Sequence, residues 1–326
     1  MLFDSFGRIH DYLRISLTDN CNFRCTYCMP EEKIQCLPSS RLMQKDEILS
    51  LAKTFVDLGI KKIRLTGGEP LLRKDFGEIY AELADLPVSL TFTTNGFLLD
   101  KYAGLCKIKG LKGVNISIDT LDREKFFSIT KRDHFLTVWK NIELMIQMDF
   151  DVKLNIVLMK HVNDDETEDF IALTKNLPVH VRFIEFMPFD KNGWDKTKVI
   201  SFEEIMSDLY QKYDVVKLLD EKHDTAKKFQ IYGHKGTFAF ITTMSQPFCG
   251  DCNRLRLTAD GKIKNCLFGK EEIDLLSPLR NGEDIENLIR MSVTRKHAVM
   301  GGQFVASYLE TDAQSIQNRS MIKIGG

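Results

Sequence analysis

The stretch "YLRISLTDNCNFRCTYC", residues 12–28, decides how this chain is read. Its first six residues alternate: Leu13, Ile15 and Leu17 are separated by Arg14 and Ser16, which predicts a strand with one apolar and one polar face. Cys21, Cys25 and Cys28 follow at once, in a C-x3-C-x2-C spacing. So short a loop wraps three thiolates around one metal centre. A closed tetrahedral zinc site needs a fourth ligand, and the loop contains no histidine, since His10 precedes the strand. Iron–sulfur clusters are ordinarily filled by four cysteines. Three thiolates on a four-iron, four-sulfur cluster leave one iron to take a small molecule.

The alternation extends outward from that strand. Further strands are predicted at 61–66, 88–94, 114–119, 151–159 and 181–187, with helical patterns between most of them, such as Ile48, Leu51, Ala52 and Phe55 within 45–59. Strand–helix alternation argues for a parallel sheet, doubly wound or rolled. Parallel strands are normally apolar on both faces, yet here Arg14, Arg64, Asn115, Ser117, Lys153 and Asn155 occupy one face. An antiparallel sheet with one wet face fits the same pattern but not the intervening helices. The expected fold is α/β, an incomplete, open barrel whose lumen holds polar ligands.

The polar connection "DKNGWDKTKVI" at 190–200 marks a boundary between residues 1–199 and a smaller, less regular region at 200–326, with a helix at 201–212, short strands and a helix near 282–293. The 326 residues are 43% hydrophobic, enough for a sizeable core. Lysine and arginine total 45 against 46 acidic residues, and a net charge of −1 gives no general attraction to nucleic acid or membrane. An anionic ligand must be held by locally placed bases. The charged N-terminus is unlike a signal peptide, and no apolar run approaches the ~20 residues of a membrane helix. The expectation is a soluble, cytoplasmic protein, whose eight cysteines serve metal or redox chemistry rather than disulfides.

A second set, Cys249, Cys252 and Cys266, is spaced C-x2-C-x13-C and is again one ligand short. Alone it also reads as most of a zinc ribbon. Cys36 lies near enough to the first set to be a stray ligand, and Cys106, in a helical run, reads as packing.

The first cysteine loop, with Tyr27 before its last cysteine and "GGEP" at Gly67–Pro70 after the next strand, resembles the radical S-adenosylmethionine (SAM) superfamily. "FTTNG", "NISIDTL", "RFIEFMP", "FCGDCNRLRLTADGKIKNCLF" and a final "IGG" follow in order, and with them nearly the whole chain resembles the GTP 3′,8-cyclase family of molybdenum cofactor biosynthesis. The resemblance implies an incomplete (βα)6 triosephosphate-isomerase-type barrel and a smaller C-terminal α+β domain carrying a second iron–sulfur cluster. It implies two [4Fe-4S] clusters, held by Cys21, Cys25 and Cys28 and by Cys249, Cys252 and Cys266. SAM would lie against Tyr27, Gly67, Gly68, Glu69, Ser117 and Met187. GTP would lie against Arg14, Arg64, Thr93, Lys153, Arg254 and Arg256. Arg14, Arg254, Arg256 and the terminal Gly325 and Gly326 would serve catalysis.

The activity so implied is a lyase reaction. One electron cleaves SAM, the 5′-deoxyadenosyl radical takes hydrogen from C3′ of GTP, and C3′ closes onto guanine C8, with the guanine on the second cluster. The implied partners are an external electron donor and, in sequence, cyclic pyranopterin monophosphate synthase; a homodimer is compatible, nucleic acid and membrane are not implied. Two other readings fit some of these features: a radical SAM enzyme with an auxiliary cluster acting on a peptide or nucleic acid, and a non-catalytic nucleotide sensor. Asn20 departs from the bases frequent before the first cysteine, and the stretch around Lys296–His297 follows the family only loosely, so His297 is given no role.

Overall fold

In the computed structural model, residues 1–28, 36–190, 192–304, 308–310 and 316–325 are described. Six strands run in chain order, β1 Tyr12–Ser16, β2 Lys62–Thr66, β3 Ser89–Thr94, β4 Gly113–Ser117, β5 Asp151–Leu158 and β6 Val179–Glu185. Between them lie α1 Lys45–Asp57, α2 Phe76–Leu83, α3 Leu99–Ile108, α4 Arg123–Thr130, α5 Phe135–Gln147 and α6 Thr167–Asn176. All five neighbouring pairs from β1 to β6 are parallel. Helix α1 starts where the Gln44 side chain and the Glu47 carboxylate cap each other's backbone N–H groups, and its Ile48, Leu51, Ala52 and Phe55 are buried.

The predicted alternation holds. Leu13, Ile15, Ile63, Leu65, Val114, Ile116, Val152, Leu154 and Ile156 are wholly buried and share one core with Phe55, Phe76, Phe126 and Phe170 of the helices. The opposite face of the same strands carries the polar residues, which line a single cavity of about 1010 Å³. A helix-covered apolar face and a polar inner face explain why these strands do not read as ordinary parallel strands.

The later elements are α7 Phe202–Lys212, β7 Val215–Lys217, β8 Lys227–Ile231, β9 Thr237–Ile241, β10 Arg254–Leu257, β11 Lys262–Lys264, β12 Ile273–Asp274, α8 Leu276–Arg280, α9 Glu286–Thr294 and α10 Met321–Ile324. Their strands join the first six instead of forming a sheet apart. The order is β12-β11-β10-β1-β2-β3-β4-β5-β6-β9-β8-β7, one mixed sheet with β12 and β7 outermost. β10 pairs parallel with β1, and β9 parallel with β6, so backbone groups that two edge strands would leave open are satisfied. The polar connection at 190–200 is also anchored: Trp194 is buried, and its indole N–H donates to the Phe186 carbonyl at 2.9 Å.

Candidate active site

Strand register assembles the basic residues. Arg14 on β1 lies opposite Arg64 on β2 and Arg256 on β10, so three guanidinium groups share one row of the sheet. One pleat along the strands, Tyr12 pairs with Lys62 and with Arg254. Across the sheet, Asn115 pairs with Thr93 and Lys153, Lys153 with His180, and Asn155 with Ser117 and Arg182. All of these side chains line the cavity. The Tyr12 ring lies beneath Arg14, Lys62 and Arg64, with the charged centres 5.0–5.7 Å from its centroid. Burial would raise the Tyr12 phenol, but these cations bring it down to about 8.

The cations outnumber the anions that face them. Nε of Arg14, Arg64 and Arg182 and the Tyr12 hydroxyl are buried without a protein hydrogen-bond partner. Burial, with neighbouring guanidinium groups adding to it, presses Arg64 to about 10 and Arg182 to about 9, while Tyr12 partly offsets them. Asp151 is one compensating carboxylate; it pairs with Lys153 and with His180 Nε2 at 2.9 Å. Donors left idle among like charges are the arrangement a polyanion satisfies.

The first cysteine loop joins the end of β1. Arg24 and Thr26 donate backbone N–H groups to the carbonyls of Thr130 and Ile129 at the end of α4, and Arg132 donates to the Asn22 carbonyl, which fixes the loop. Gly68 N–H donates to Thr18 O at 2.7 Å and Glu69 N–H to Asn20 O at 2.8 Å, so the "GGEP" turn lies on the segment leading to Cys21. That approach admits no side chain, since a Cβ on Gly68 would stand 2.3 Å from the Asn20 carbonyl oxygen. Tyr27, Gly67, Gly68, Ser117 and Met187 line the cavity beside the three cysteines. The Tyr27 hydroxyl donates to Asp119 Oδ2 at 2.8 Å. Glu69 is placed differently: its buried carboxylate accepts from Leu71 N, Thr94 Oγ1 and Asn95 N at 2.7–3.0 Å, binding this turn to the end of β3.

The second set lies where β10 begins and β11 ends, and its three cysteines line the same cavity. Near them, Arg256 Nη1 donates to the Gly325 carbonyl at 2.5 Å. Gly325 sits at φ +88°, and a Cβ there would meet Ser16 Cβ and Thr66 Oγ1 at 2.8 Å, so only glycine fits between β1 and β2. Met321 and Ile322 of α10 line the cavity, as Cys28 does. Gly326 lies outside the described residues. The segment from Met321 to Gly325 is thus held against the site.

Both thiol sets fit an iron–sulfur centre by their chemistry. None of the eight cysteines is in a disulfide, and all six cysteines of the two sets line the cavity. Among the described residues, no three His, Cys, Asp or Glu side chains close on a single bare ion. Burial pushes the Cys21 and Cys28 thiols up to about 12, and raises Cys25 well above its ordinary value with Asp119 adding to it. Such thiols ionise only beside a positively charged centre. Cys252 differs: burial opposes its ionisation, but Arg254 and Lys296 outweigh that and bring it to about 6. Cys36 is exposed and not in the cavity wall; Cys106 is buried beside Tyr80.

Sequence reasoning left out Tyr12, Arg182 and His180, and took Lys62 for solvated surface charge, whereas it lines the cavity. Arg182 was legible in "VRFIEFM", where it alternates with Val181 and Phe183 as Arg64 alternates with Ile63 and Leu65. Tyr12 and Lys62 hold the first positions of their strands, where the period of two has little room to show.

Two family models match the chain, the Radical SAM superfamily over residues 15–174 and Molybdenum Cofactor Synthesis C over residues 179–300. The mitochondrial GTP 3′,8-cyclase of Arabidopsis thaliana is 46% identical over 333 residues, covering 100% of this chain and 84% of that protein. GTP 3′,8-cyclase of Desulforamulus reducens is 41% identical, covering 89% and 91%. Molybdenum cofactor biosynthesis protein 1 of Bos taurus is 47% identical over 99% of this chain, which spans only 51% of that longer protein. Among solved structures, Streptococcus suis SuiB bound to S-adenosylmethionine superposes with a TM-score of 0.60 at 13% identity, covering 94% of this chain and 72% of that one, a likeness of fold. No helix among the described residues is long and apolar enough to cross a membrane.

Proposed function

Given that this chain belongs to the GTP 3′,8-cyclase family of radical SAM proteins, we propose that its cavity closes C3′ of GTP onto guanine C8, giving (8S)-3′,8-cyclo-7,8-dihydroguanosine 5′-triphosphate, the first step of molybdenum cofactor biosynthesis. The observation that carries this reading is one cavity with a cysteine triad at the Cys21–Cys28 end, a second at Cys249–Cys266, and unsatisfied arginines between them. When bound, the iron–sulfur centres supply an electron for the reductive cleavage of SAM at the first triad and an iron ligand site for guanine at the second.

The protein's own side chains then have separable tasks. Tyr27, Gly67, Gly68, Ser117 and Met187 shape the SAM end, and Glu69 supports it from behind by fixing the turn. Arg14, Arg64, Arg182, Lys62 and Lys153 take the triphosphate, whose oxygens match guanidinium forks in pairs. Thr93 adds a hydroxyl to the same wall. Arg254 and Arg256 face the nucleoside, and Arg256 is held in aim by the Gly325 carbonyl. The wall of strands keeps both substrates in register and limits water, which is where most of the protein's contribution lies.

We take the curved sheet as an incomplete barrel, with residues 1–199 as the radical SAM domain and 200–326 as the domain that carries the second cluster. An external electron donor, a following enzyme that consumes the cyclised nucleotide, and a cytoplasmic setting belong to the same proposal. Its test is anaerobic iron–sulfur reconstitution followed by incubation with SAM, GTP and a strong reductant. Release of 5′-deoxyadenosine that depends on GTP, and not on ATP or peptides, is the expected result. A colourless zinc protein without acid-labile sulfide would overturn it.

A further inference from the structure

Lys296 is buried, lies outside every element assigned to the reaction, and follows the end of α9. Its ammonium has three N–H groups and three acceptors: Arg254 O at 2.9 Å, Cys252 Sγ at 3.4 Å and His10 Nδ1 at 3.5 Å. The acceptor on His10 is fixed from behind. Asp4 Oδ2 lies 3.1 Å from His10 Nε2, so Nε2 carries the proton and Nδ1 presents its lone pair to Lys296. Asp4 is held in turn by Arg8 Nε at 2.6 Å and by the backbone N–H groups of Phe6 and Arg8. Arg8 also donates to the carbonyls of Cys249, His297 and Ala298 at 2.7–2.8 Å. The first ten residues therefore clamp both the cysteine loop and the segment bearing Lys296.

We propose that Lys296 is a positioning residue for the centre at Cys249, Cys252 and Cys266, its ammonium donating to the Cys252 sulfur and raising the reduction potential of what is bound there. A buried cation beside a ligand sulfur favours the reduced, more negative state, and N–H···S donors act in the same direction. Cys252 receives two charged donors, Lys296 and Arg254 Nη2 at 3.4 Å, whereas Cys249 receives the Met300 backbone N–H at 3.4 Å. The centre is held unevenly, with its most strongly hydrogen-bonded sulfur next to the Arg254 that faces substrate. The inference rests on reading the second triad as an iron–sulfur site.

The experiment isolates that site. A background with Cys21, Cys25 and Cys28 replaced by alanine is reconstituted and titrated by electron paramagnetic resonance, with iron and sulfide counted. Lys296→Met and Lys296→Gln are compared with it, and Lys296→Arg tests rescue. Both neutral variants should keep their iron and show a reduction equilibrium constant at least about tenfold smaller, a downward shift of about 59 mV for a one-electron couple, with Arg restoring most of it. Iron lost from both neutral variants but kept with Arg supports the same conclusion. An unchanged potential in loaded neutral variants overturns it, as does loss of iron from all three, which makes Lys296 a packing residue. A background protein that binds no iron sinks the reading of the second triad itself.

Discussion

Replacing Gly68 with alanine puts the contact between the "GGEP" turn and the first cysteine loop under direct strain. The new Cβ would stand 2.3 Å from Asn20 O, 2.6 Å from Asn20 C and 3.2 Å from Asp19 C, all backbone atoms that no rotamer change can move. Ordinary contact between such atoms begins near 3.5 Å, so the two segments must part by about 1 Å. The Gly68 N–H···O Thr18 and Glu69 N–H···O Asn20 bonds, at 2.7 and 2.8 Å, then stretch out of range. Two lost backbone bonds at about 1 kcal/mol each, with some residual overpacking, give a destabilisation of roughly 3 kcal/mol. The displacement reaches Asn20, next to Cys21, and a misplacement of about 1 Å at a reacting centre costs on the order of a hundredfold in rate. The control is Gly104→Ala in α3, where no atom lies within 4 Å of the added methyl, and where removing a helical glycine stabilises by about 1 kcal/mol. Thermal unfolding and GTP-dependent 5′-deoxyadenosine release, measured on both anaerobic proteins, check the two halves. A Gly68→Ala protein with parental melting temperature and turnover would refute the close-approach argument.

Arg14→Met or Arg182→Met should raise the GTP concentration for half-maximal turnover roughly ten- to a hundredfold, the equivalent of a lost charge-assisted hydrogen bond of about 1.5–3 kcal/mol, while SAM binding holds; equal losses for both ligands would point to misfolding. Removing Gly325 and Gly326 should abolish product while iron content stays, because Arg256 loses the carbonyl it donates to; a truncated protein with full turnover would contradict that role. Stability should fall with acid in two steps. Burial, with the Lys296 ammonium opposite, brings His10 from 6.5 to about 4, so the unfolded chain takes up its proton first. That contribution is complete above about pH 6.5 and lost as pH falls to about 4, a change of about 3 kcal/mol. Burial would raise Asp4, but its bonds from His10, Arg8 and Phe6 hold it at about 2, and its share disappears between about pH 4 and pH 2. Urea midpoints measured against pH should show the upper step flattened in His10→Asn; an unaltered step would assign the titration to another group.

The inner face of the sheet was legible because its signal has a period of two: Arg14, Arg64, Ser117 and Lys153 each stand between apolar neighbours, and burying one face fixes the direction of the other. The two cysteine triads were legible as local spacings. What joins them was not. The pairing of β10 with β1 matches residues about two hundred and forty positions apart, and the contact between His10 and Lys296 spans 286. Neither leaves a local pattern. Lys296 in sequence is one base among several near a helix end, and its burial shows only once the N-terminal ten residues fold onto it. Gly68 and Glu69 illustrate a second limit. "GGEP" reads in sequence as a glycine-rich turn, but the turn also needs Gly68 to let two backbones touch and the Glu69 carboxylate to collect donors from Leu71, Thr94 and Asn95. A motif names the site; the packing that holds it in place is three-dimensional.

In the proposed reaction one cavity brings SAM at Cys21–Cys28 and GTP at the arginine rows into hydrogen-transfer distance. GTP carrying deuterium at C3′ tests it most directly, with mass analysis of the 5′-deoxyadenosine released by the reconstituted, reduced protein. The expected result is one deuterium in that product and a cyclised nucleotide lacking it. Unlabelled 5′-deoxyadenosine formed alongside intact, still-deuterated GTP would contradict it.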